Sequence, residues 1–186
     1  MNTILLIILG AIILWIIITY NNIIKLKNYA KKAYAGIDIQ LKRRTNLIPN
    51  LVETVKGYAK HEKKLLEDIT KMRTELINAQ DKKDIKKVAG CDEVMDSKLK
   101  TLFAVAENYP TLKANENFLK LQDELIKTED QIAASRRIYN ANTTEYNTKI
   151  QTMPSNIIAK LFGFKDEQLY EATNTEKKNI EVKLQS

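Results

Sequence analysis

The chain has one cysteine and one histidine in 186 residues, and these two shortages remove most routes to catalysis. Cys91 cannot form an intramolecular disulfide, so the fold is not stapled, and this usage fits a reducing compartment. His61 precedes Glu62, but a metalloprotease helix needs a second histidine four residues after the first, and Leu65 stands there. Carboxylate metal sites in bundles use Glu-x-x-His pairs from two helices, which a single histidine excludes. Glycine (5) and proline (3) are also scarce. Each glycine stands alone, so there is no phosphate-cradling or dinucleotide loop. Ser135 and Ser155 have no histidine near them to activate a hydroxyl. The expectation is a non-enzymatic protein with no catalytic residue, no metal, no cofactor and no small-molecule substrate.

Charge is missing from one stretch altogether. Thr3 to Tyr20 (TILLIILGAIILWIIITY) is apolar throughout, and about 18 residues is near the lower limit for a helix crossing a hydrocarbon core. A cleaved signal peptide would have a basic start and a small-residue cleavage site, and a surface-lying helix would have a polar face; the segment has none of these. Residues 1–21 therefore read as a retained transmembrane anchor, with Trp15 and Tyr20 toward its C-terminal side and Tyr20 suited to the interface.

Seven bases follow at once (Lys25, Lys27, Lys31, Lys32, Lys42, Arg43, Arg44) against one acid, Asp38, which places +6 of the net +7 in residues 21–44. Nucleic-acid binding needs a basic face on the folded domain, and here the excess lies beside the bilayer. Anionic headgroups are the expected partner, with Lys25, Lys27, Lys31 and Lys32 lipid-proximal. Basic residues stay on the cytoplasmic side of a span, so the N-terminus is expected outside and the helical domain inside. An impermeant thiol reagent that reached Cys91 in intact cells would contradict this.

Beyond the anchor the apolar spacing is helical almost everywhere, and no stretch alternates as a strand. The predicted class is all-α, an N-terminal transmembrane helix followed by an elongated, rod-like antiparallel four-helix bundle over 22–166, with a polar, disordered tail at 167–186. A first helix carries Ile24, Tyr29, Ala33, Ile37 and Leu41 and is interrupted at Pro49, where the missing N–H and the ring clash predict a kink or break. Helix resumes from Pro49 to about Ala79, and the charged 80–88 stretch (QDKKDIKKV) reads as a mobile turn. A third helix covers Asp92–Asn108 and stops before Pro110, leaving Cys91 in a loop or at a helix start. The longest helix spans Asn115–Thr152, with Phe118, Leu121, Leu125, Ile132, Tyr139, Tyr146, Ile150 and Met153 in a stripe that Thr128, Ser135 and Asn142 make partly polar. Ser155 is then expected to cap a short helix, Asn156–Phe162, ended by Gly163.

The polar residues that stand out are candidates for interhelix or subunit contacts. Arg43 and Arg44 lie near Asp38, and Arg136 and Arg137 near Glu129 and Glu145. The hydroxyls of Tyr58, Tyr109, Tyr139 and Tyr146 could close such networks.

Several strings together resemble the LemA family. They are Gly36–Arg44 (GIDIQLKRR), Asn46–Tyr58 (NLIPNLVETVKGY), Ala106–Phe118 (AENYPTLKANENF), Ala133–Asn140 (AASRRIYN), Glu145–Asn147 (EYN) and Ile158–Phe164 (IAKLFGF). The resemblance covers nearly the whole chain. It implies a bacterial inner-membrane protein with one span and a long helical bundle, and no catalytic residues to carry over. The family's magnetosome-associated member implies a role in organising or remodelling membrane, and its neighbours imply partners with TPM domains. Two functions follow as expectations. One is a membrane-anchored helical scaffold that forms homo-oligomers; the other is a monomeric adaptor holding a membrane peptidase or TPM-domain partner in a bundle groove.

Overall fold

A computed structural model describes residues 2–171. The protein is all-α, and its long apolar N-terminal helix packs against further helices in a bundle. Helix α1 spans Asn2–Lys56, a 3-10 turn covers Lys60–Glu62, and α2 is Lys63–Asp81. Then come α3 (Ile85–Ala106), α4 (Pro110–Lys113), α5 (Glu116–Gln151) and α6 (Ser155–Leu161). The chain forms two compact units, one of Met1–Ile37 and Ala134–Leu169, the other of the described residues of Asp38–Ala133 and Tyr170–Ser186. Both α1 and α5 contribute to each.

The second unit is a four-helix bundle of the C-terminal part of α1, α2, α3 and the N-terminal part of α5. Its seams run at alternating steps of four and three residues, the spacing that keeps one stripe of a helix facing its neighbours. On α1 the stripe is Leu41, Arg44, Ile48, Leu51, Val55; on α3 it is Val88, Asp92, Met95, Leu99, Leu102, Ala106. Every one of these is buried. Phe118 and Leu125 of α5 join the same core. Its helices alternate in direction. Asp38 and Thr45 of α1 meet Gln80 and Arg73 of α2, Glu62 and Asp68 toward the start of α2 meet Tyr109 and Lys98 toward the end of α3, and Arg43 of α1 and Tyr58 just beyond it meet Glu124 and Asn115 toward the start of α5.

Pro49 does not break α1, which runs through it to Lys56. A proline inside a helix leaves the carbonyl four residues earlier without its donor, and here that carbonyl belongs to buried Thr45. Arg73 of α2 supplies the missing donor, its Nε lying 2.7 Å from Thr45 O. The interruption predicted at Pro49 falls instead at Gly57–Ala59, just after Val55 and Lys56 end the helix.

The predicted mobile turn shrinks to Lys82–Asp84. Asp84 caps α3 by accepting from the N–H of Lys87 at 3.1 Å, so Cys91 lies inside a helix rather than in a loop. Asn115 opens α5 in the same way, accepting from the N–H of Phe118.

The first unit contains α1 up to Ile37, the C-terminal part of α5, and α6. Its α1 stripe is Ile23, Leu26, Ala30 and Ile37; of the residues expected there Ile37 is buried, Ile24 and Ala33 are half-buried and Tyr29 is exposed. Ser155 does not cap α6. Its hydroxyl is turned back to the carbonyls of Lys149 and Thr152 at the end of α5, and α6 starts at Ser155 itself. Gly163, at φ +71°, ends α6 as expected. Its N–H donates to Lys160 O and that of Phe164 to Ala159 O, the paired bonds that close a helix C-terminus around a left-handed residue.

Candidate functional site

The predicted membrane-proximal residues all lie in the first unit. Large side chains from Ile4 to Trp15, with Ile17 and Ile18, are exposed along α1, and this helix is long and apolar enough to cross a membrane. The exposure ends where other parts of the chain begin to cover it. Thr19 and Ile23 are buried, and Ile16, Tyr20 and Phe164 pack around a cluster of Ile23, Leu26, Tyr146, Ile150, Ile158 and Ala159. The Tyr20 ring lies 4.8 Å from that of Phe162 and 5.7 Å from that of Phe164. Trp15 is exposed one turn earlier.

The seven bases behind the apolar run are not equivalent. Lys25, Lys31 and Lys32 are exposed, with the Lys25 ammonium 5.7 Å from the Tyr29 ring centre. Lys27 is within 3.5 Å of Glu167, and Arg43 pairs with Glu124. Arg44 is 0 % exposed and leaves the surface charge altogether.

Arg44 is instead the centre of a buried site in the second unit. Its Nη2 donates to the carboxylate of Asp92, itself 0 % exposed, and its Nη1 donates to Glu129 Oε2 at 2.6 Å. Tyr170 completes the arrangement by donating its hydroxyl to Asp92 Oδ2 at 2.5 Å. Arg44 Nε has no hydrogen-bond partner among the described residues. One guanidinium between two carboxylates, closed by a phenol, is a structural lock whose charges are largely withdrawn from solvent.

The predicted pairing of Arg43 and Arg44 with Asp38 does not occur. Five and six residues separate them, which turns the side chains to different faces of the helix. Asp38 accepts from Gln80 Nε2 at 2.7 Å instead. Glu129 accepts from Arg44, and Arg136 lies half-buried in the first unit. Asp92 and Tyr170 were missed. Asp92 was recognisable, since it interrupts an otherwise apolar stripe on α3. Tyr170 carries no such signal, because it lies outside any helix.

The tyrosines close onto backbone more than onto charge. Tyr139 donates to Gln168 O at 2.6 Å and Tyr146 to Lys165 O at 2.9 Å. Asn147 secures the same segment, donating to Glu167 O and accepting from Glu167 N. Residues 167–170 are thus held in place rather than forming the start of a tail, while 172–186 lie outside the described residues. Burial, reinforced by Glu167, pushes the phenol of Tyr139 above its ordinary range; burial with Glu167 and Asp166 does the same to Tyr146. Tyr109 donates to Glu62 at 3.2 Å, and Tyr58 accepts from Asn115.

Two further features bear on chemistry. A groove of about 720 Å³ runs along α1 and α2 in the second unit, with Val52, Ala59 and Leu66 on its walls and Glu53, Lys56 and Lys71 around them. Cys91 is half-buried, and burial with Glu75 and Asp92 nearby pushes its thiol upward, which keeps it protonated and slow to react. Among the described residues no group of three or more His, Cys, Asp and Glu is arranged to hold a metal ion.

Comparison with known proteins places this architecture. Magnetosome protein MamQ 2 of Paramagnetospirillum magneticum is 26% identical over 184 residues, covering 87% of this chain and 68% of that protein. Protein LemA of Metamycoplasma hominis is 28% identical over 164 residues, covering 87% and 73%. Magnetosome protein MamQ of Magnetospirillum gryphiswaldense is 25% identical over 180 residues, covering 84% and 66%. The LemA family profile matches residues 33–184, from the end of the apolar helix's first unit through every packed helix that follows, and the chain belongs to the LemA family.

Proposed function

We propose that this protein is a membrane-anchored, non-enzymatic helical scaffold that self-associates and organises or remodels membrane. The observation that carries the proposal is the first part of α1, whose large apolar side chains from Ile4 to Trp15 are exposed. A helix of that composition is stable in hydrocarbon and not in water. Similarity to proteins named for the magnetosome supports the membrane-organising part. The exposed bases Lys25, Lys31 and Lys32 favour an anionic leaflet and a cytoplasmic bundle. Because Cys91 is half-buried, an exposed cysteine placed at Asn78 in a Cys91→Ser background is the better reporter of sidedness.

The test is the particle size of the full-length protein, extracted gently with its lipid and imaged by electron microscopy. Large, ordered, lipid-containing assemblies are expected. Particles of one or two copies would overturn self-association and leave the adaptor reading, which the α1–α2 groove favours because it offers apolar walls at Val52, Ala59 and Leu66 with charged side chains around them.

A further inference from the structure

The short helix α6 and its flanks carry a dense group of exposed apolar side chains. Ile158 and Ala159 face inward to the cluster of Ile23 and Tyr146, so the helical period turns Ile157 and Leu161, one turn apart, outward. Ile157 is 58 % exposed and Leu161 72 %; Met153 just before them is 78 % exposed and Phe162 just after them 51 %. Exposed apolar residues scattered singly need no explanation, but four within ten residues form a patch that calls for a partner.

The neighbours of this patch say what covers it. Tyr20 stacks at its edge on Phe162 and Phe164, and Ile16 packs on the same cluster. The patch is therefore level with the last two turns of the charge-free run. That run, Thr3–Tyr20, is 18 residues, about 27 Å of helix at 1.5 Å per residue against a hydrocarbon core of about 30 Å. A bilayer crossed by α1 uses the whole run, and its boundary falls at Tyr20, beside α6. Lys160 and Lys165 are exposed on the same segment, placed to reach headgroups while their stems lie on apolar surface.

We propose that Met153–Phe164 is a second membrane contact. Its outward face is seated in the lipid interface of the leaflet through which α1 emerges, with Tyr20, Phe162 and Phe164 at headgroup depth. The inference rests on α1 being the membrane anchor and adds that α6 is a foot on the same surface, so the chain touches the bilayer at two places in sequence.

The test uses the full chain reconstituted in vesicles of mixed zwitterionic and anionic lipid, with acyl chains brominated near the headgroup or left plain. Trp15, the single tryptophan, reports on the anchor; a Trp15→Phe, Leu161→Trp chain reports on α6. The expected result is blue-shifted emission from both, with Trp at 161 quenched by the brominated lipid and shielded from aqueous iodide. Quenching of Trp15 with water-like, iodide-accessible emission from 161 would overturn the foot and leave the anchor standing. Loss of lipid quenching at both positions would overturn both. Blue emission at 161 that neither lipid nor iodide quenches would also overturn the proposal, since it would mean a protein surface covers α6. A spin label at Ile157→Cys in a Cys91→Ser background, read by its accessibility to oxygen against a water-soluble nickel complex, repeats the measurement without placing a bulky ring at 161.

Discussion

The two compact units solve the same problem, a buried polar group, in different ways. In the second unit a charge is closed by charges: Arg44 between Asp92 and Glu129, with Tyr170 on Asp92. In the first unit hydroxyls are closed by backbone: Tyr139 on Gln168 O and Tyr146 on Lys165 O. The apolar cores differ as well. The second unit draws on all four of its helices, from Ile48 and Leu51 on α1 to Leu125 on α5, whereas the first packs a cluster around Ile23 and Tyr146 and leaves the start of α1 uncovered. A charged lock suits a unit that supplies its own interior. Neutral bonds to backbone suit a unit that carries a helix long and apolar enough to cross a membrane, since an ion beside hydrocarbon is costly.

This contrast predicts unequal costs of disruption. The largest belongs to the lock. Arg44→Met leaves Asp92 buried without its counter-charge and should destabilise the protein by about 3–5 kcal/mol. Adding Asp92→Leu to Arg44→Met should recover most of that loss, because the uncompensated charge is gone. Denaturant unfolding of the full chain in detergent measures both, and a double variant no better than the single one would show that the site is not a charge lock.

The Pro49–Arg73 pair should come next. Arg73→Met leaves the Thr45 carbonyl buried without a donor, at a cost of about 1–3 kcal/mol. Pro49→Ala restores the helix's own donor, so Arg73→Met in that background should cost markedly less. Equal costs in the two backgrounds would sever the link between the proline and the arginine.

The smallest effect sharpens the contrast from the first unit. Tyr139→Phe and Tyr146→Phe each remove one neutral hydrogen bond, at about 0.5–1.5 kcal/mol. Both phenols are pushed upward in the folded state, so the folded chain holds these protons more firmly than the unfolded chain. Their contribution is fully present below about pH 10, the ordinary phenol value, and is lost as pH rises through their folded values. Stability should therefore fall above that pH in the parent and fall less steeply in the double Phe variant. Unfolding midpoints across that range decide it, and parallel curves would contradict the assignment.

Much of this was legible in the sequence because it rests on periodicity. The all-α class, the long α5 and the apolar run of α1 follow from spacing alone, and so does the stop before Pro110. Two of the misreadings share a cause, a partner distant in sequence. Pro49 reads as a break unless Arg73 is known to be near Thr45, and Asp38 reads as a mate for Arg43 or Arg44 until Gln80 is seen beside it. The start of the α1 stripe was misplaced because Ile24 is as apolar as Ile23 and Tyr29 carries a large ring, and only packing decides which face turns inward. Ser155 was misread because a serine before a helix resembles a cap even when its hydroxyl serves the helix behind it.

The link between Pro49 and Arg73 also constrains descent. A lineage that keeps proline at this point of α1 inherits a need for a donor on α2, whereas one that loses the proline releases the arginine to drift. Across relatives the two positions should change together, in that order, and a proline found here without a donor opposite it would mark a chain whose first helix has had to bend.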